Sequence, residues 1–170
     1  MMQLLKHPNS PARAARSIEL DAARVGSELR LAYVLRGDVD AIAWPPPASS
    51  TRTDELWRHT CFEAFVRLDS SESYYEFNFA PSRQWAAYRF DSYRAGMTPA
   101  YEFADPRIEI VRGAESFGLN AVITLPPGVL KLAASAVVEE KAGGLSYWAL
   151  KHAPDKPDFH HADGFVLELR

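Results

Sequence analysis

Strict alternation of apolar and polar residues is what most limits the folds open to this chain. Leu29, Leu31, Tyr33 and Leu35 fall on one side of an extended segment, with Arg30 and Ala32 between them. Phe117, Leu119, Ala121 and Ile123 repeat the pattern, as do Leu130, Leu132, Ala134, Ala136 and Val138. Phe165, Leu167 and Leu169 end the chain in the same way. A period of two sends alternate side chains to opposite faces of a strand, so each run turns one face to a core and the other to solvent or a ligand. Arg112-Gly113, Pro126-Pro127-Gly128 and Gly143-Gly144 punctuate the runs as turns. Many short strands separated in this way predict an all-β chain. The expected architecture is a sandwich or barrel.

Two stretches break the alternation. Trp44 precedes Pro45-Pro46-Pro47 and a Ser/Thr tract, and three prolines cannot sit inside a central strand. The Arg36–Arg58 region is therefore read as a long loop, either functional or a cover over a sheet edge. Near the N-terminus, Ser10-Pro11 could open a helical turn over residues 10–16, with Ser10 as its cap.

With 170 residues the chain is expected to be one domain over 1–170. That length buries roughly 70% of the unfolded surface and needs no disulfide to hold a core. Cys61 is the lone cysteine, which suits a reducing compartment. The apolar stretch at the N-terminus is too short for a signal-peptide core, and no run approaches a membrane span. A cytoplasmic location and no membrane partner are the expectation. The net charge of −3 comes without a basic stripe, which argues against nucleic acid as a partner.

The most informative block is Leu56–Leu68, followed by Tyr74–Phe79. The two halves read as a hairpin. Pairing Ala64 with Phe79, Val66 with Phe77 and Leu68 with Tyr75 gives one continuous apolar face. Glu63, Phe65 and Arg67 then share the opposite face with Tyr74, Glu76 and Asn78, and Arg67 lies across from Glu76. Carboxylates, an amide and rings on one face suit a sugar or similar polar ring, because rings stack while carboxylates and amides take hydroxyl hydrogens. A solvated face with cross-strand ion pairs is the alternative. In the next segment, Ala86, Tyr88 and Phe90 point one way and Trp85, Ala87 and Arg89 the other, if it is extended.

Several sharper chemistries can be weighed on the residues. His160 and His161, with Asp158 and Asp163 nearby, invite a metal reading, and His59 is a further weak candidate. Neighbours in an extended segment point to opposite sides, so His160 and His161 would not share one ion, and no HxH, HxxxH or CxxC spacing appears. His59 and Cys61 would share a face and could pair, but a buried small hydrophobe is the ordinary fate of such a cysteine. Glu63 and Glu76 could be a glycosidase pair. An arginine opposite Glu76 would oppose the protonated carboxyl that such an enzyme needs. No catalytic site is assigned.

Blocks spread along the chain carry a family resemblance. They are Leu56-Trp57-Arg58-His59-Thr60-Cys61-Phe62-Glu63, Tyr75-Glu76-Phe77-Asn78-Phe79-Ala80-Pro81-Ser82, Trp85-Ala86-Ala87-Tyr88, Tyr93-Arg94-Ala95-Gly96-Met97, Ser146-Tyr147-Trp148-Ala149-Leu150 and Lys156-Pro157-Asp158-Phe159-His160-His161. In this order they resemble the bacterial DOMON-like domain proteins. The resemblance implies an antiparallel immunoglobulin-like or jelly-roll β-sandwich with long loops and at most short helical turns, the fold shared by haem- and sugar-binding DOMON domains and family-nine carbohydrate-binding modules. From the sugar-binding relatives it implies ligand contacts at Trp57 and Glu63, and more loosely at Asn78, Trp85 and Arg89. From the haem-binding relatives it implies a methionine and a histidine as axial ligands, for which Met97 is the only internal methionine. The expectation is a non-catalytic module for a small ligand, a carbohydrate favoured, with no cofactor required. A haem- or metal-binding redox domain and a protein-interaction scaffold are the alternatives.

Overall fold

The computed structural model describes residues 1–68, 70–128 and 130–170. Its strands are β1 (Met2–Lys6), β2 (Ala15–Val25), β3 (Glu28–Gly37), β4 (Cys61–Leu68), β5 (Tyr74–Phe79) and β6 (Trp85–Phe90). They continue as β7 (Thr98–Pro99), β8 (Arg107–Arg112), β9 (Ser116–Thr124), β10 (Leu130–Glu139), β11 (Leu145–Ala149) and β12 (Leu167–Leu169). Three short 3-10 turns are the only helical elements among the described residues. The chain is all-β, as its alternation predicts.

Every strand pairing is antiparallel, in the order β7-β6-β5-β4-β10-β11-β1-β2-β3-β9-β8. The path folds over at β1, whose first half pairs with β2 and whose last residues pair with β11. Two sheets result, β2-β3-β9-β8 packed on the longer β7-to-β11 sheet. β12 takes the edge of β10 that β11 leaves free, pairing Leu130 with Leu169. Gly26 at φ 61° joins β2 to β3 in a two-residue turn, where the hairpin twist favours glycine. At the other end of that pair, Gly37 runs against the Ala14 carbonyl so closely that a Cβ would collide with it.

The alternating runs supply the core between the sheets. Leu29, Leu31, Tyr33 and Leu35 of β3 meet Phe62, Ala64 and Val66 of β4 and the apolar side of β10. Phe117 stacks on Phe62 at 5.9 Å, and Trp44 stacks on Phe117 at 4.2 Å while donating Nε1 to the Val39 carbonyl (2.8 Å). A second cluster lies on the outer face of the longer sheet: Phe65, Tyr74, Ala86, Tyr88, Phe90, Ala133 and Phe165. That sheet is therefore buried on both faces along β4, β5 and β6, and its outer face carries the site.

Three sequence expectations change here. The β4–β5 register is two residues away from the expected one: Phe62 opposes Phe79, Ala64 opposes Phe77 and Val66 opposes Tyr75. A two-residue slip preserves which side chains share a face, so the face pattern could not detect it. Residues 10–16 form no helical turn. Ser10 instead accepts the Tyr147 N–H through its Oγ (3.2 Å), and β2 begins at Ala15. Phe165 departs from the face of Leu167 and Leu169, joining the outer cluster while they pack against the inter-sheet core.

The proline-rich loop covers a sheet edge. Arg52 forms a parallel bridge with Trp85, the Thr53 N–H donates to the Trp85 carbonyl (2.8 Å), and the Trp85 N–H donates to the Thr51 carbonyl (3.2 Å). Prolines cannot supply these ladder hydrogen bonds, and they lie just before the segment that does. The loop ends in the 3-10 turn Leu56–Arg58, entered through Glu55 in a left-handed conformation (φ 63°). That turn sets Trp57 over the outer face.

Candidate ligand-binding site

The site is built on cross-strand neighbours. Glu63 of β4 lies between Asn78 of β5 and Ser135 of β10, and Glu76 of β5 lies between Phe65 of β4 and Tyr88 of β6. Glu63 and Glu76 are thus diagonal positions on adjacent strands, which sets their backbones roughly 7–8 Å apart. Above them is a cavity of about 530 Å³. Trp57, Phe90, Phe159 and Tyr147 contribute rings to its wall, and Glu63, Glu76, Arg94, Met97, Lys156 and His160 contribute polar or polarisable groups.

Glu63 is 1% exposed. Its Oε2 accepts from the Ser135 hydroxyl (3.3 Å), and its backbone carbonyl accepts from the Tyr33 hydroxyl rising through the core (2.7 Å). Its Oε1 is buried with no hydrogen-bond partner. Burial pushes the Glu63 carboxyl well above the usual carboxylate range, and the nearby Glu76 charge adds to the shift. Glu76 is raised to about 7, again chiefly by burial. The Asn78 amide opposes that shift. With its nitrogen turned to the acceptors around it, Asn78 donates to Glu76 Oε1 (3.2 Å) and to the Phe77 carbonyl (3.3 Å).

Two loops close over this floor and are tied to each other. The Arg94 N–H donates to the Tyr74 hydroxyl (3.2 Å), which is 2.8 Å from His160 Nδ1. The His160 Nε2 faces Glu76 Oε2 at 3.7 Å, so the ring bridges the Tyr74 hydroxyl and the Glu76 carboxyl. Asp158 receives the Arg94 guanidinium (2.8 Å), the Tyr93 hydroxyl and the His160 N–H (3.1 Å). Burial lowers the His160 pKa to about 4, with the Arg94 charge acting in the same direction. The imidazole is neutral at physiological pH.

The expected site residues separate clearly. Trp57 and Glu63 line the cavity, and Asn78 lies beneath it, fully buried, holding Glu76. Trp85 and Arg89 do not line it: both belong to the opposite face of β6. Trp85 is 1% exposed in the inter-sheet core, and Arg89 is exposed where β6 meets β7. Met97 and His160 do line the cavity. His161 instead caps the 3-10 turn Ala162–Gly164, accepting the Asp163 N–H. His59 is exposed and bonded to Glu139 (2.6 Å). Cys61 is buried, its thiol against the Phe62 and Phe79 carbonyls and its pKa raised by burial, so no Cys61–His59 pair forms. Among the described residues, no group of three or more His, Cys, Asp and Glu side chains could hold a metal ion.

Arg67 opposes Tyr74 rather than Glu76, and its guanidinium lies over the Phe165 ring at 4.7 Å. The objection to a glycosidase that rested on Arg67 therefore does not stand. Burial raises both carboxyls, Glu63 well above the usual carboxylate range and Glu76 to about 7. Glu76, Arg94 and Phe159 are among the cavity residues that sequence reasoning did not assign. The parity of β5 and the blocks Tyr93–Met97 and Lys156–His161 were the signals that could have found them.

Neither a family model nor a curated protein matches the chain at the sequence level. Solved structures do match over nearly its whole length. A "putative carbohydrate-binding protein" from Bacteroides uniformis superposes with a TM-score of 0.72 at 16% identity, over 99% of this chain and 84% of that one. A family 9 carbohydrate-binding module from Caldicellulosiruptor kristjanssonii in complex with cellotriose gives 0.56 at 10% identity, over 99% and 82%. A module of the same family and organism in complex with glucose gives 0.53 at 11%, over 98% and 83%. The chain shares its fold with these three structures. Among the described residues, no helix is long and apolar enough to cross a membrane.

Proposed function

We propose that this protein is a non-catalytic binding module that holds a small hydroxyl-bearing ring, a carbohydrate favoured, in the cavity over the outer face of the longer sheet. Glu63 Oε1 carries the reading: it is a buried acceptor with no partner, on a residue that lines a ring-walled cavity. An unsatisfied buried oxygen costs on the order of 1–3 kcal/mol, which a ligand hydroxyl would recover. Trp57 supplies the stacking surface, Glu63 and Glu76 take hydroxyl hydrogens, and Asn78 positions Glu76 from below. Arg94 and Lys156 bound the cavity on the loop side. The structural neighbours that hold cellotriose and glucose support the ligand class through the fold they share with this chain.

Titrating a sugar and nucleotide panel against tryptophan emission should shift the spectrum with sugars. Trp57→Ala should weaken the same binding about tenfold or more while leaving the thermal midpoint within a few degrees, since Trp57 is only partly buried at the edge of the outer cluster. A panel that neither shifts the emission nor releases heat in calorimetry would sink the proposal.

A haem reading has one observation in its favour, the placing of Met97 and His160 on the same cavity. His160 is poorly disposed for it, because both ring nitrogens already face protein groups, Nδ1 the Tyr74 hydroxyl at 2.8 Å and Nε2 the Glu76 carboxyl at 3.7 Å. Haemin titration should therefore leave the Soret band at its free position. A shift that Met97→Ala abolishes would replace the carbohydrate reading with this one.

A further inference from the structure

We propose that the preferred ligand carries a primary amine beside its hydroxyls, as an amino sugar does, and that its ammonium is received between Glu63 and Glu76. The inference rests on the reading of the cavity as a site for a small hydroxyl-bearing ring, and it narrows the class of ring. The floor presents two carboxyls at diagonal positions, both nearly fully buried, with Glu63 Oε1 lacking any partner. Two acidic side chains in one small buried site can ionise together only if a cation compensates them.

None of the cations at the cavity meets that call. The Arg94 guanidinium is held by Asp158 at 2.8 Å, and Asp158 is itself largely buried. Lys156 is solvent-exposed, so its ammonium stays hydrated. His160 approaches Glu76 at 3.7 Å, but as a neutral ring bonded to Tyr74. The floor thus retains acceptor capacity that the chain does not use. A hydroxyl brings one donor to it, whereas an ammonium brings three donors together with the compensating charge. Rings of Trp57, Phe90 and Phe159 line the same space, and the face of such a ring attracts a cation while its carbon framework packs against an apolar body.

Matched pairs separate this inference from the reading beneath it. Glucosamine against glucose, galactosamine against galactose and mannosamine against mannose are titrated by calorimetry near neutral pH, with each N-acetylated sugar as a third member. One amine should bind about tenfold or more tighter than its hydroxyl partner, and N-acetylation, which removes the charge and keeps the ring, should erase the gain. Glu63→Gln, with Glu76→Gln as a second variant, should reduce that gain while circular dichroism shows the fold retained. Equal binding of amine and hydroxyl sugars, or a gain that survives both variants, overturns the amine assignment and leaves the carbohydrate module standing. Failure of every sugar, amine or neutral, overturns both.

Discussion

Trp85→Ala should lower the unfolding free energy by about 3–5 kcal/mol, the range for removing a large aromatic side chain from a packed core. At roughly 2–4 °C per kcal/mol for a chain of this size, the thermal midpoint should fall by about 10 °C. The ring is 1% exposed between the sheets, and the Arg52 guanidinium lies over it at 4.2 Å. Arg52 in turn donates to the Ala100 and Phe103 carbonyls (3.0 and 3.1 Å), so the ring packs under the side chain that pins the proline-rich loop. Trp85→Phe should cost far less, because it keeps a ring and deletes an indole N–H that is buried without a partner. Urea midpoints of the three proteins measure this. If Trp85→Ala unfolded within about 1 kcal/mol of wild type, the packing account of Trp85 would be wrong. Ligand affinity measured well below the midpoint should be unchanged in both variants, since Trp85 faces away from the cavity. Trp57→Ala should show the reverse pattern.

The contrast between these tryptophans shows what the sequence could and could not convey. Alternation sorted the side chains of β6 into two faces correctly, Trp85 with Ala87 and Arg89 against Ala86 with Tyr88 and Phe90. It could not say which face met the other sheet, because loops cover the outer one and both faces are apolar. In β3 and β9 only one face is buried, and there the pattern alone was sufficient. The hairpin register shows the same limit. Any even slip conserves the apolar face, so the pairing of Glu63 with Asn78 rather than of Arg67 with Glu76 depends on contacts that lie outside the hairpin. One such contact is the Arg67 guanidinium over Phe165, which sits nearly one hundred positions further along the chain. His160 was visible as a residue of interest only through its chemistry. Its place in the cavity wall comes from bonds to Tyr74 and Asp158, which no local pattern encodes.

Glu76 and His160 should contribute opposite slopes to the pH dependence of stability, and each slope should appear when the other residue is replaced. Glu76 is raised from an ordinary 4.5 to about 7. Between those values the folded protein holds a proton that the unfolded chain has released, so stability falls as pH rises through the window, by about 3 kcal/mol in all. His160 is lowered from 6.5 to about 4. There the unfolded chain holds the extra proton, and stability rises with pH by a similar amount, about 3 kcal/mol. From pH 4.5 to 6.5 the two nearly cancel: the unfolded chain carries an ionised glutamate and an imidazolium, while the folded chain carries both groups neutral. Relative to wild type, Glu76→Gln should gain little at pH 4.5 and about 3 kcal/mol at pH 8. His160→Gln should carry a constant penalty from the lost Tyr74 hydrogen bond, offset by about 3 kcal/mol below pH 4 and by nothing above pH 7. Urea midpoints at unit steps of pH read both curves directly. A Glu76→Gln difference that does not vary with pH would mean that Glu76 is ionised in the folded protein. The cavity floor would then be a permanently charged surface rather than one that gains its charge only when a ligand compensates it.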